Sequence, residues 1–294
     1  MRRIRVAYTY PAAGNAPMAL GLEAGIFAEH DVDVEMIRLP RGSDAIRALE
    51  QDEAELAVVS GLPVLRAAQR GLDPAIVMSV EAENVFAVIG AAGTRELSDL
   101  RGRVVGMNSP DDQDGVMMRR ALLDAGLDPE RDVEMRAYAG GRGAIWDALV
   151  AGEVGAMAVT LPEPFTARAR GLPILRDFLD DLEPYQCGSL VVRHSYLAAE
   201  AELVRDVLTA QLASIRVFNA DDDLARRALE ATTTIRDDVV FDQTRRAFGE
   251  AMLHFVPALE PVENVIRDVR RVTGVDLGVD PRRIVQPASA ESLA

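Results

Sequence analysis

The chain has 294 residues, 49% hydrophobic and 27% charged, which is ample for the core of one large domain or two lobes. Acidic residues outnumber basic ones 47 to 32, and a formal charge of −15 repels phosphate backbones and anionic membranes, so nucleic-acid binding is disfavoured. All 32 basic residues are arginine, which excludes Schiff-base lysine chemistry and a Walker-type lysine, while the single Cys187 excludes internal disulfides and cysteine-rich metal sites.

In chain order, residues 4–9 alternate apolar and polar as a strand does. Asn15 then caps a helix with Pro17 in its first turn, and Gly25 ends it. Residues 32–39 read as a second strand, followed by a helix capped by Ser43 or Asp44 with Ala45, Ile46 and Leu49 on one face. Residues 56–59 are continuously apolar, as in a strand buried on both faces. Residues 76–93 connect to the next part of the chain, with 85–89 as a strand. Further strands are expected at 103–107, 133–138 and 156–159, with helices beginning near 112–114 and at Gly143. In the first of these helices Met118, Ala121, Leu122 and Ala125 form an inward stripe that Gly126 terminates. Another apolar run, 188–193, supplies a second connection. From residue 198 the pattern is helical, with Val204, Leu208, Ile215 and Phe218 on one face and Val262, Ile266 and Val269 on another. The tail after Arg283 is expected to fray.

No apolar h-region follows the first basic residues, and no run approaches the roughly 18–20 apolar residues of a membrane span. As written the chain reads as cytoplasmic and not membrane-inserted; with a leader removed it would be periplasmic or extracellular.

The most informative pattern is an internal repeat. Asp33-Val34-Glu35-Met36 recurs as Asp132-Val133-Glu134-Met135, Ala45-Ile46 as Ala144-Ile145, Leu49 and Glu53 as Leu149 and Glu153, and Gly71-Leu72 as Gly171-Leu172. The matches are collinear and shift register by one residue. Two copies are too few for a solenoid, and strands alternating with helices argue for parallel sheets. The expected architecture is α/β: two Rossmann-like lobes joined by a double hinge, with a helical C-terminal part. Lobe 1 comprises 1–86 and 194–294, and lobe 2 comprises 87–193.

Several segments carry a resemblance. Ala19-Leu20-Gly21-Leu22-Glu23-Ala24-Gly25-Ile26-Phe27-Ala28-Glu29 followed by Asp33-Val34-Glu35 is one. Others are Gly42-Ser43-Asp44-Ala45, Glu53-Ala54-Glu55-Leu56-Ala57, and Leu100-Arg101-Gly102-Arg103-Val104-Val105-Gly106. Gly126-Leu127-Asp128-Pro129 and Ala151-Gly152-Glu153-Val154 continue in order. Together they resemble the type II solute-binding proteins of the nitrate, sulfonate, taurine and thiamine-pyrimidine branch, clearly over residues 4–171. The resemblance implies the type II periplasmic-binding-protein fold closing around a small ligand, with an ABC permease as partner. Two departures stand out: the acidic residue common after Gly-Glu-x is Glu55 in the first copy but Gly155 in the second, and the helix opening of lobe 2 reads Ser109-Pro110-Asp111-Asp112-Gln113-Asp114.

In such folds the ligand lies at the carboxyl ends of strands, where helix starts offer free N–H groups. Tyr8, Thr9 and Tyr10 follow the first strand; a tyrosine there can stack on a planar ligand, though strand alternation assigns one of the two to the core. Ser43, Ser60 and Gly61 open the next two helices, where serines also serve as plain caps. Asn84 lies in the connection. Ser109, Asp112 and Gln113 open lobe 2; aspartates here either complement the helix dipole or, facing the ligand, repel sulfonate or nitrate and favour an amine, amidine or protonated heterocycle. Gly141 permits close backbone approach, and Arg142 either clamps a carboxylate or phosphate or is solvated. Thr160, the counterpart of Ser60, and Glu163 complete the set. Trp146 reads as packing.

The histidines His30, His194 and His254 have no metal-ligand spacing, and no G-x-S-x-G or H-E-x-x-H occurs. The sequence therefore reads as a monomeric solute-binding protein without cofactor or metal, holding a heterocycle, amine or organic acid between closing lobes. The alternative is a cytoplasmic decarboxylase or lyase on the same scaffold, with Glu163, Glu83 or His194 as general base and Arg142 holding a carboxylate.

Overall fold

The computed structural model describes residues 1–9 and 11–291; Tyr10 lies outside the described residues. In chain order the elements begin with β1 (Arg2–Thr9), α1 (Ala16–Glu23), α2 (Ile26–Glu29), β2 (Val32–Leu39), α3 (Gly42–Glu50), β3 (Leu56–Val59), α4 (Gly61–Gln69) and β4 (Pro74–Glu83). They continue with β5 (Phe86–Gly90), β6 (Val104–Met107), α5 (Gln113–Asp124), β7 (Glu134–Ala137), α6 (Gly141–Val150), β8 (Ala156–Thr160), α7 (Glu163–Ala169) and β9 (Ile174–Asp177). Last come β10 (Pro184–Arg193), α8 (His194–Ala199), α9 (Ala201–Ala220), α10 (Asp222–Thr232), α11 (Asp238–Ala251), α12 (Leu259–Thr273) and α13 (Ala288–Glu291).

The chain divides into two compact units. Unit 1 is Met1–Glu83, Pro184–Val265 and Leu277–Ala294; unit 2 is Asn84–Glu183 with Ile266–Asp276. Residues 188–193, read from sequence as a connection, lie inside β10, which is a full strand of the unit 1 sheet. The chain leaves unit 2 earlier, between Glu183 and Pro184.

Each unit holds one five-stranded sheet, and the two sheets have the same plan. Unit 1 is ordered β2-β1-β3-β10-β4 and unit 2 β7-β6-β8-β5-β9. In unit 1, β2 and β3 run parallel to β1, while β10 is antiparallel to β3 and β4. In unit 2, β7 and β8 run parallel to β6, while β5 is antiparallel to β8 and β9. Both sheets are therefore mixed, because in each a strand from the neighbouring stretch of chain enters with the opposite sense.

The repeat seen in the sequence extends to individual backbone bonds. The Glu53 N–H donates to the Ala48 carbonyl at 2.9 Å, and Glu153 to Ala148 at 2.9 Å. Leu72 donates to Ala67 at 3.1 Å, and Leu172 to Ala167 at 2.9 Å. Gly71 and Gly171 both take left-handed φ, +97° and +70°, at the ends of α4 and α7, a conformation glycine adopts without steric cost. One paired position shows how the copies diverge. The Glu55 N–H donates to Arg5 at 3.0 Å and Gly155 to Val104 at 2.7 Å, yet only Glu55 has a side chain, which accepts the Arg5 N–H at 2.7 Å and pairs with the Arg5 guanidinium. At Gly155 the corresponding space is filled by Arg103 and Leu100: a Cβ would sit 3.0 Å from Arg103 Nε and 3.1 Å from Leu100 Cδ2.

In unit 2, Ile89, Ile145, Leu149, Val154, Met157 and Val159 form a buried cluster between the sheet and α6, with Trp146 packed against it. The Arg170 guanidinium lies over the indole, 5.5 Å from its centroid, so Trp146 is a packing residue. In unit 1, Val204, Leu208, Ile215 and Phe218 are buried along α9, the face the sequence predicts. In α5, Met118, Ala121 and Leu122 are buried, while Ala125, the C-cap, is exposed.

Three further expectations are corrected. The N-cap of α3 is Arg41; Ser43 and Asp44 fall inside the first turn, where Asp44 accepts from Arg41 Nε at 3.0 Å. A complete ten-residue strand, β4, occupies 74–83; eight of its residues are buried, so it shows no alternation to read. Residues 284–286 do not fray. Ile284 and Val285 are buried, the Ile76 N–H donates to the Ile284 carbonyl at 2.8 Å, and the Gln286 N–H returns to Ile76 at 3.0 Å.

Candidate functional site

In unit 2 the carboxyl ends of three parallel strands carry half of the nominated residues, together with Asn108. After β6 come Asn108, Ser109, Asp112 and Gln113; after β7, Gly141 and Arg142; after β8, Thr160 and Glu163. The β6–α5 loop is held from within by Asp114. One carboxylate oxygen accepts the Asn108 N–H at 2.7 Å and the other the Gly115 N–H at 3.0 Å. Asp114 is buried, and burial pushes its carboxyl up to about 6; the Asp112 charge adds to the rise, while the Asn108 N–H and the Arg142 charge oppose it. Ser109 Oγ accepts the Asp111 N–H at 3.2 Å, closing a local turn. Gly115 is required by space: a Cβ there would lie 2.6 Å from the Ser109 carbonyl oxygen.

The β7–α6 and β8–α7 loops meet through an ion pair. Arg142 Nη1 donates to Glu163 Oε1 at 3.2 Å. Glu163 is 7% exposed, and its other oxygen, Oε2, is buried with no hydrogen-bond partner among the described residues. Gly141 has φ +68°, and the nearest atom to its Cβ position is Asn108 Oδ1 at 3.9 Å, which brings the β6 and β7 loops side by side. Asn84 is buried and turned inward: its Nδ2 faces Met117 Sδ at 3.7 Å and its Oδ1 accepts the Phe86 N–H at 3.3 Å.

In unit 1 the corresponding edge carries Tyr8 and Thr9 at the end of β1, Ser43 in the first turn of α3, and Ser60 and Gly61 at the start of α4. Ser60 is the N-cap of α4 with no side-chain cap bond, and it is partly exposed, as is Thr160 in unit 2. Gly61 lets the helix start pack on Gln186: a Cβ would be 3.0 Å from both the Cβ and the carbonyl oxygen of Gln186. Three residues at these edges were not nominated from the sequence. Asn15 is 2% exposed, donates to the Thr9 carbonyl at 2.8 Å, and leaves its Oδ1 without a hydrogen-bond partner among the described residues. Glu81, 8% exposed, sits against Gly14, where a Cβ would be 2.6 Å from its Oε1. Asn108 is the third, and its position as the first residue after a strand was the available signal.

His194 and Glu83 are not brought together. His194 follows β10 at the edge opposite the strand-end loops, where its Nε2 meets the Arg283 carbonyl at 2.8 Å. Glu83 ends β4, whose first residue pairs with Arg193. Ten strand residues separate them, about 30 Å at 3.3 Å per residue. Among the described residues, no group of three or more His, Cys, Asp or Glu side chains is placed to hold a metal, and no helix is long and apolar enough to cross a membrane.

The sequence profile described as NMT1/THI5 like matches residues 13–225. The chain belongs to the NMT1/THI5-like family. No curated protein sequence matches it. Among solved structures, this NMT1/THI5-like chain is similar to the periplasmic nitrate-binding protein NrtA from Synechocystis PCC 6803, with TM-score 0.82 and 10% identity over 100% of this chain and 88% of that one. The alkanesulfonate-binding protein SsuA from Xanthomonas axonopodis pv. citri, solved with MOPS, gives TM-score 0.78 and 16% identity over 98% of each chain. A protein from Bordetella bronchiseptica RB50 gives TM-score 0.83 and 19% identity over 100% and 97%. The fold of this family member is the type II periplasmic binding fold, as the repeat and the motif order imply.

Proposed function

We propose that the chain is a solute-binding protein that holds a small organic ligand at its strand-end loops and delivers it, unchanged, to an ABC-type uptake system. The observation that carries this reading is the doubled sheet plan, with helices opening at the carboxyl ends of parallel strands in both units. The names of its fold neighbours, nitrate-binding and alkanesulfonate-binding, support it. In this reading Ser60 and Gly61 of unit 1, and Ser109, Gly141, Arg142, Thr160 and Glu163 of unit 2, are the contact residues. The partner is a permease, the protein acts as a monomer, and it works outside the cytoplasmic membrane.

Of the three alternative general bases, His194 follows β10 at the edge opposite the strand-end loops and Glu83 ends β4, while Glu163 pairs with Arg142. Native mass spectrometry of the purified protein, followed by calorimetry with whatever co-purifies, tests the reading. One ligand per chain, recovered chemically intact after release, is the expected result. A recovered product of altered mass would overturn it.

A further inference from the structure

The polarity of the unit 2 site restricts what a ligand there can be. Arg142, in the first turn of α6, is engaged by Glu163 at 3.2 Å, so its charge is already compensated. The groups around it are acidic: Asp112 at the start of α5, the buried Asp114 behind it, and Glu163 itself. A cluster of acids alone would signify little, since aspartates in a first turn complement a helix dipole. The decisive feature is Glu163 Oε2. It belongs to a carboxylate whose side chain is 9% exposed and whose other oxygen meets Arg142, and it accepts no hydrogen bond from any described residue. Leaving a buried carboxylate oxygen without a donor costs about 1–3 kcal/mol or more, and a ligand N–H would remove that cost. An anionic headgroup would instead meet Asp112 and Asp114 beside an Arg142–Glu163 pair of no net charge.

Unit 1 repeats the polarity independently. At the carboxyl end of β1, Asn15 Oδ1 is a buried acceptor with no donor among the described residues, and the Glu81 carboxylate sits beside the adjoining Gly14.

We propose that the ligand is a small organic cation bearing N–H donors, an ammonium, amidinium or protonated amino-heterocycle, with its cationic nitrogen on Glu163 Oε2, and not an oxyanion. This deepens the solute-binding reading and rests on it. The charge also gives each variant a direction. Glu163→Gln removes the counter-charge and frees Arg142, so it should lose cation binding at least tenfold and gain oxyanion binding. Arg142→Gln removes the competing cation and should tighten cation binding.

The experiment is isothermal titration and thermal shift with a charge-matched panel of benzamidine, propylamine and 4-aminopyridine against benzenesulfonate, propanesulfonate and nitrate. Wild type and both variants are compared, and circular dichroism confirms that each is folded. Stabilisation by at least one cation and by none of the anions, with opposite shifts in the two variants, is expected. Wild-type binding of an anion but of no cation overturns the cation assignment and leaves the solute-binding reading standing. No binding from either class, together with no co-purified ligand, overturns both. Equal cation affinity in wild type and Glu163→Gln overturns the assignment to Glu163.

Discussion

Replacing Asp114 by asparagine should change how stability depends on pH, not merely its level. The folded carboxyl titrates at about 6 against an ordinary value of 3.8, so between those values the folded chain keeps a proton that the unfolded chain has released. Stability from this group is fully present below pH 3.8 and is lost as pH rises through 6. At 1.36 kcal/mol per pKa unit the loss amounts to about 3 kcal/mol. Asparagine cannot titrate, and every other ionisable group is common to both proteins. The wild-type-minus-variant difference in unfolding free energy, from urea melts between about pH 4 and pH 8, should therefore fall by about 3 kcal/mol and flatten above about pH 7. A constant offset of about 1–2 kcal/mol is superimposed, because one oxygen cannot serve both the Asn108 and Gly115 N–H groups as the carboxylate does. A difference that stays level across the window, or rises with pH, would refute a buried, proton-holding Asp114.

Gly115→Ala should cost about 1–3 kcal/mol, because the new methyl meets the Ser109 and Pro110 carbonyl oxygens, backbone atoms that cannot step aside; a thermal midpoint within a degree of wild type would contradict this. Asp268→Asn should destabilise the protein by about 3 kcal/mol in urea, since it strips a buried partner from Arg120. Glu183, which also pairs with Arg120 at 2.6 Å, keeps the loss from being larger. Burial works against its ionisation, but Arg120 and Arg267 together hold its carboxyl below the usual range. Ending the chain after Arg283 should lower stability by about 3–5 kcal/mol through the lost burial of Ile284 and Val285, and should speed hydrogen exchange at the Ile76 amide.

The sequence carried the parallel part of each sheet with little loss. Residues 32–39 and 56–59 coincide with β2 and β3, since Val32 and Val34 alternate with exposed positions and Leu56–Val59 is an uninterrupted apolar run bounded by polar residues. The paired glycines at 71 and 171 were legible because their role is a backbone conformation, which depends on one residue alone. The antiparallel strands were harder to read. β4 and most of β10 are buried on both faces and contain Ser79, Glu81, Gln186 and Ser189, polar residues that resemble loop chemistry until their neighbours are known. Glu163 opens α7, and its ion pair with Arg142 depends on side-chain direction, which no spacing encodes. His194 looked available because its strand was read without its sense; running antiparallel, β10 carries it to the far edge. The docked tail was missed because Ile284 and Val285 are too short a run to register, and one bridging residue on β4 holds them.

The pair Glu55 and Gly155 means that the two halves of this chain are no longer interchangeable parts. A glutamate installed at 155 would press its Cβ against the Arg103 and Leu100 side chains, while a glycine at 55 would take the carboxylate from the Arg5 amide and leave the Arg5 guanidinium its hydrogen bond to the Asp52 carbonyl. Each copy has fitted its neighbours to its own residue here, so exchanging the two residues would have to move Arg103 in one half and re-partner Arg5 in the other.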